Sequence, residues 1–212
     1  MFAPGLYAIL DLDTLGDRDP RAAAEAVIRG GCVALQLRAK GRAATDLLPL
    51  AQALRRLTRA AGIPYFVNDD PRLAAQAGAD GVHLGQQDGS LPDARRALGP
   101  IPAIGRSTHS LTQAVTAAHT GVAYLGFGPV FPTRTKKDAD PVQGLAALRD
   151  TCAAVALPVV AIGGIRLENV GEVARAGARA AAAISAVLDA PDFAERVARF
   201  TEAFLKNHSD FK

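Results

Sequence analysis

The sequence predicts a single-domain α/β protein, a (β/α)₈ barrel of the TIM type spanning residues 1–212, and three observations carry that expectation. Short apolar runs alternate with longer Ala-rich amphipathic stretches from one end of the chain to the other, the pattern of parallel strands joined by helices. Eight such runs can be counted, the number that closes a barrel. A segment also repeats: Ala77-Gly78-Ala79-Asp80-Gly81 before the fourth run returns as Ala176-Gly177-Ala178-Arg179-Ala180 before the eighth. Gly31 and Gly121 stand similarly before the second and sixth runs, so a unit of two strand-helix pairs recurs. An open doubly wound sheet is the structural alternative.

In chain order the expected strands are Leu6–Asp11, Val33–Leu37, Tyr65–Val67, Gly81–Leu84, Ala103–Gly105, Tyr124–Phe127, Val159–Ile162 and Ala181–Ile184. Helices are expected near 20–30, 45–61, 71–77, 91–98, 110–119, 143–155, 167–176 and 192–206. Several carry an Asp or Ser cap with a Pro in the first turn, as at Asp70-Pro71 and Ala190-Pro191, where a missing N–H costs nothing. Apolar residues make up 49% of the chain and aromatics only 5%, so the core is expected to consist of Ala, Val, Leu and Ile rather than large rings.

Composition also excludes. The net charge of +3 is spread over scattered Lys and Arg residues, which argues against a nucleic-acid or membrane surface. Cys32 and Cys152 are far apart, without a CxxC or a nearby His pair, so neither a disulfide framework nor a zinc site is expected and each reads as a small buried apolar residue. No apolar run approaches the ~20 residues that span a bilayer and no leader pattern is evident. The expected location is the cytoplasm.

In such barrels chemistry gathers at the C-terminal ends of the strands, and the polar residues of this chain concentrate there. After strand 2 come Gln36, Arg38 and Lys40, an amide and two cations suited to an anionic substrate carrying a heterocycle; a solvated strand end is the plain alternative. Asp69 after strand 3 and Asp88 after strand 4 lie on neighbouring strands and could together offer Mg²⁺ hard oxygen ligands beside substrate phosphates. Asp70 reads as the cap before Pro71, and Asp88 alternatively as a turn former ahead of Ser90. His83 reads as a hydrogen-bonded core residue and is left outside the site. After strand 5, Ser107 stands near a helix start, where a phosphate oxygen could sit, though Ser107 or Ser110 could also be a plain cap. The Gly/Pro-rich stretch through Thr133, Thr135, Lys136 and Lys137 reads as a lid over phosphates. Gly163-Gly164 after strand 7 and Ser185 after strand 8 mark the usual phosphate position of barrels. Two anionic substrates, one of them a diphosphate, are the economical reading.

Six of these segments, Gln36–Lys40, Asn68-Asp69, Gly78–Asp88, Gly105–Ser107, Gly126–Lys137 and Ala161–Ile165, resemble in order the successive motifs of the thiamine phosphate synthase family, across roughly residues 6 to 188. The resemblance implies an enzyme that condenses 4-amino-2-methyl-5-(diphosphooxymethyl)pyrimidine with a thiazole phosphate, giving thiamine phosphate and pyrophosphate through a pyrimidine methylene cation. It implies that Gln36, Arg38, Lys40, Asn68, Ser107 and Lys136 hold the pyrimidine diphosphate, with Ser107 and Lys136 as the catalytic residues and Asp69 and Asp88 on Mg²⁺. Thr133, Thr135, Gly164, Ile184 and Ser185 would meet the thiazole phosphate. The expected partners are these small molecules, with neither nucleic acid nor membrane; a homo-oligomer is compatible with the sequence. Three departures stand out: Arg179-Ala180 where the family repeats Asp-Gly, Arg134 between the two threonines, and the absence of a leading helix to cover the barrel bottom. A thiazole tautomerase of the same family and a non-catalytic phosphate-binding barrel are the rival readings.

Overall fold

The computed structural model describes residues 2–99, 103–133 and 140–208. Its strands are β1 (Gly5–Asp11), β2 (Ala34–Arg38), β3 (Tyr65–Asn68), β4 (Gly81–Leu84), β5 (Ala103–Thr108), β6 (Tyr124–Phe127), β7 (Val159–Ala161) and β8 (Ala180–Ala183). They follow one another around a closed barrel, every pair parallel, and β1 completes the ring by pairing with β8 from Gly5↔Ala180 to Ala8↔Ala183. The helices between them are α1 (Leu12–Leu15), α2 (Pro20–Arg29), α3 (Ala44–Ala61), α4 (Pro71–Ala77), α5 (Leu91–Leu98), α6 (Leu111–Ala118), α7 (Gly144–Ala154), α8 (Val170–Arg175), α9 (Ser185–Leu188) and α10 (Phe193–Asn207). Among the described residues no helix is long and apolar enough to cross a membrane.

Local chemistry explains the helix starts. Asp19, Asp70, Ser90, Ser110 and Asp192 each accept a backbone N–H of the first turn, satisfying donors that have no partner within the helix. Pro20, Pro71 and Pro92 sit in first turns. Pro191 does not: Asp192 caps α10 instead, accepting from Glu195 N at 3.0 Å. Two boundaries also move. Strand β5 runs on to Thr108, so Ser107 lies inside it, and β8 ends at Ala183, releasing Ile184 as the cap position of α9.

Two apolar layers hold the barrel. Between strands and helices lies a shell of Leu, Val, Ile and Ala, as the composition predicts. Inside the barrel the expectation fails, because Phe2, Tyr7, Phe66 and Tyr124 fill the centre with ring centroids 5.2–5.9 Å apart. The reason is size alternation around the ring. A Cβ on Gly105 would meet the Tyr124 ring at 2.1 Å and one on Gly81 would meet Phe66 Cε1 at 3.0 Å, while β8 presents only alanines. Small residues on β4, β5 and β8 leave room that four large rings occupy.

The two copies of the repeated segment diverge where the sequence departs from the family pattern. Asp80 accepts both Arg55 guanidinium nitrogens, at 2.7 and 2.8 Å, and the Tyr65 N–H at 2.8 Å, clamping α3 to the start of β3. Arg179, in the equivalent place, donates instead to the Phe2 carbonyl at 3.3 Å. Phe2 is 3% exposed and packs edge-on against Tyr7 and Tyr124, so at the bottom of the barrel the ring of Phe2 is the plug.

Candidate active site

At the opposite end the strand termini and their loops surround a cavity of about 1940 Å³. Gln36, Arg38, Lys40, Asn68, Asp69, Asp88, Ser107, Thr133, Gly164, Ile184 and Ser185 all line it. Thr135 and Lys136, with Arg134, Lys137 and so the lid they would form, lie outside the described residues.

One wall is ionic. Asp69 has φ +66°, the one non-glycine residue with a left-handed backbone among those described, a region Asp tolerates better than most side chains. That turn separates it from Asp70, whose carboxylate accepts the Arg72 and Leu73 N–H groups at 2.9 Å as the cap of α4. Asp69 is left to face the cavity, where Lys40 Nζ lies 2.5 Å from Asp69 Oδ2 and 4.0 Å from Asp88 Oδ1. Asp88 Oδ2 accepts the Gly85 N–H at 2.7 Å, so this residue both closes the turn after β4 and faces its neighbour. Burial, then the adjoining Asp88 carboxylate, pushes the Asp69 carboxyl up to about 6 against the pull of Lys40. For Asp88 burial pushes upward too, but the hydrogen bond from Asp69, the Gly85 N–H, Lys40 and Arg106 outweigh it and hold the group below its usual range. Below about pH 6 the pair therefore retains one proton, on Asp69 rather than on Asp88.

Arg38 pairs with Asp11, which also caps α1 through the Asp13 and Thr14 N–H groups at 3.1 and 2.8 Å. Asp11 is 1% exposed and orients the guanidinium at the rim; the sequence reading did not single it out.

The opposite wall is backbone. Gly163 and Gly164 have φ of +97° and +64°, and a Cβ on Gly164 would lie 2.4 Å from Pro132 O and 2.8 Å from Phe131 Cβ. Gly164 must stay small for the sake of its own neighbouring loop, whatever ligand approaches it. His109 holds the far side of that loop, bonding Gly128 O at 2.6 Å through Nδ1 and Asp140 at 3.3 Å through Nε2.

The floor holds what sequence reasoning missed. His83 is half-buried among Tyr124, Ser107 and Gly126 and lines the cavity. It is a hydrogen-bonded core histidine, as expected, and also a site residue. Its only sequence signal was its register, two residues after Gly81 on an inward-facing strand position.

A profile of the thiamine monophosphate synthase family matches residues 6–187. The chain belongs to that family. It is 45% identical to a thiamine-phosphate synthase of Anaeromyxobacter dehalogenans over 94% of this chain and 87% of the relative. It is 47% identical to one of Herpetosiphon aurantiacus, over 87% and 89% respectively. Among solved structures, a thiamine phosphate pyrophosphorylase from Pyrococcus furiosus superposes with a TM-score of 0.89 at 35% identity, covering 97% of both chains. The family match begins in β1 and ends in α9, so it includes every strand that contributes to the cavity.

Proposed function

We propose that the protein is an alkyl transferase of thiamine biosynthesis, joining 4-amino-2-methyl-5-(diphosphooxymethyl)pyrimidine to 4-methyl-5-(2-phosphooxyethyl)thiazole with release of pyrophosphate. One observation carries this reading: a single cavity has an ionic wall of Arg38, Lys40, Asp69 and Asp88 facing a glycine wall at Gly163 and Gly164. Two differently built walls suit two different anionic substrates, and the relatives of this chain are synthases of this product.

In the reaction the bond between the pyrimidine methylene carbon and the diphosphate oxygen breaks, its electrons leaving with pyrophosphate. The aminopyrimidine delocalises the cation left behind, and the thiazole nitrogen lone pair forms the new C–N bond. Arg38, Lys40 and Lys136 neutralise charge growing on the leaving group, Gln36, Asn68 and Ser107 orient the pyrimidine, and Thr133, Thr135, Gly164, Ile184 and Ser185 receive the thiazole phosphate. Tyr7, Ile9, Tyr124, Val160 and Ile162 form the cavity floor, an apolar surface that keeps water from the cation.

The carboxylate pair suits a hard cation, for the position between Asp69 and Asp88 already accepts the positive charge of Lys40. Among the described residues no cluster of three or more His, Cys, Asp or Glu side chains could hold a metal alone, so a cation on this pair would need waters and substrate oxygens to complete its shell, ligands that Mg²⁺ accepts. Asp69 and Asp88 would hold it, and when bound it supplies charge neutralisation at the departing pyrophosphate. In this reading the chain acts as one domain, and substrates that carry phosphates, which do not cross a bilayer unaided, support a cytoplasmic location. Pyrophosphate release measured with both substrates tests the reading: release with the pair and not with either alone is expected. A tautomerase or a binding-only barrel would release none.

A further inference from the structure

An unbroken line of hydrogen bonds crosses the inside of the barrel beneath the cavity. Gln36 Nε2 donates to Tyr7 Oη at 3.0 Å, the Tyr7 and Tyr124 hydroxyls lie 2.8 Å apart, Tyr124 Oη meets His83 Nδ1 at 3.0 Å, and His83 Nε2 meets Ser107 Oγ at 2.9 Å. Five strands contribute one residue each. The middle of the line is dry, with Tyr7 and Tyr124 each 1% exposed and Gln36 3%. Glycines make its bed: a Cβ on Gly126 would lie 3.0 Å from His83 Cε1, and one on Gly105 would strike the Tyr124 ring.

Donor and acceptor counting sets the direction of the line. A phenol has one proton to give. Tyr7 accepts from Gln36 and so gives its proton to Tyr124, which in turn gives its own to His83 Nδ1. Burial keeps both phenols protonated and holds His83 neutral, its imidazole pushed down to about 4. A neutral ring that accepts at Nδ1 carries its proton on Nε2 and donates it to Ser107 Oγ. The Ser107 hydroxyl, its inward side already receiving a hydrogen bond, has its own proton left for the cavity.

We propose that Gln36, Tyr7, Tyr124 and His83 form a polarised relay that fixes His83 as the Nε2–H tautomer and thereby presents Ser107 to the diphosphate substrate as a hydrogen-bond donor. Tyr7, Tyr124 and His83 are positioning residues in this scheme, and the inference rests on the synthase reading for the identity of the ligand. The line has only one other self-consistent state. If the Gln36 amide turned over and presented its oxygen to Tyr7, every bond would reverse, and Ser107 would spend its proton on His83 and offer the ligand only an acceptor. A substrate group that donates to Gln36 Oε1, such as the amino group of the pyrimidine, holds the amide in the productive sense. Recognition at β2 is in this way coupled to donation at β5.

The experiment has two arms. In the first, ¹⁵N NMR of the imidazole in the free protein, with the His83 signal assigned by its loss in His83→Gln, reads the tautomer directly. Nε2–H is expected in the wild type, with Nδ1–H appearing in both Tyr124→Phe and Gln36→Leu, the second of these lying three hydrogen bonds away. An Nδ1–H wild type, or a tautomer unmoved in both variants, would overturn the relay. In the second arm, Tyr124→Phe should lower kcat/KM for the pyrimidine diphosphate about tenfold, the usual loss for one buried hydrogen bond, and leave KM for the thiazole phosphate unchanged. His83→Gln, whose amide keeps a donor near the Nε2 position, should retain more activity than His83→Met. Equal losses in the two His83 variants, or matching shifts in both Michaelis constants, would mean that the ring only packs. If the wild type released no pyrophosphate, the synthase reading would fall while the NMR arm still decided the relay.

Discussion

Two adjacent aspartates take different roles because of one backbone angle. Asp70 keeps an extended conformation and caps α4, whereas the left-handed turn at Asp69 points its carboxylate at Lys40 and Asp88. Asn adopts that turn as readily as Asp, so Asp69→Asn should fold with a thermal midpoint close to wild type, and Asp88→Asn likewise. Turnover is the sensitive quantity. A lost metal contact to the leaving group is worth several kcal/mol, so pyrophosphate release at saturating Mg²⁺ should fall by about two or more orders of magnitude. Near-normal turnover in both variants would remove the cation from this wall. The proton retained by the pair gives a second test. A cation must displace it, and with Asp69 pushed up to about 6, divalent cation affinity should rise as pH increases from about 5 to 7 and then level off. Calorimetric titration with Mg²⁺ in buffers of different ionisation enthalpy should detect proton release near pH 6 and little at pH 8.

At the scale of elements, the loop after β7 and the loop after β6 are fitted to each other at Gly164. A Cβ there would be strained by its φ of +64° and would press on Pro132 O. Gly164→Ala should therefore cost about 1–3 kcal/mol of stability, measurable by denaturant unfolding without any ligand. A variant of wild-type stability that has lost only thiazole phosphate binding would show that the glycine serves the ligand alone. All eight strands were legible in the sequence because each is a short apolar run set off by turn residues. The short helices α1 and α9 were not, since four residues are too few for a periodic signal. The ionic wall was legible too, because carboxylates and cations immediately after apolar runs stand out. The relay was not. Tyr7 and Tyr124 lie in strands buried on both faces, where alternation no longer separates inward from outward positions, and their contacts join residues as far as 117 positions apart. Asp11 was hidden in the same way, as the last residue of an apolar strand whose partner Arg38 belongs to the next.

For the whole molecule, a neutral imidazole in the barrel interior ties stability to acidity. With His83 at about 4 in the folded chain and about 6.5 when unfolded, the unfolded state binds more protons between those values. Stability from this group is complete above about 6.5 and is lost as pH falls toward 4, by about 3 kcal/mol. Urea unfolding at pH 7 and pH 4.5 should show that loss in the wild type and a smaller one in His83→Gln; equal losses would place the acid sensitivity elsewhere. The molecule also divides along its axis, with Phe2 and Arg179 closing one end and chemistry gathered at the other. The rings between the two ends make the protein its own optical gauge. The chain has no tryptophan and three tyrosines, and all three are at most 1% exposed. Tyrosine emission therefore comes wholly from the interior, and two of its three sources, Tyr7 and Tyr124, lie on the cavity floor. Filling of the cavity can thus be followed as a change in native tyrosine fluorescence, with no label attached and no surface chromophore to dilute the signal.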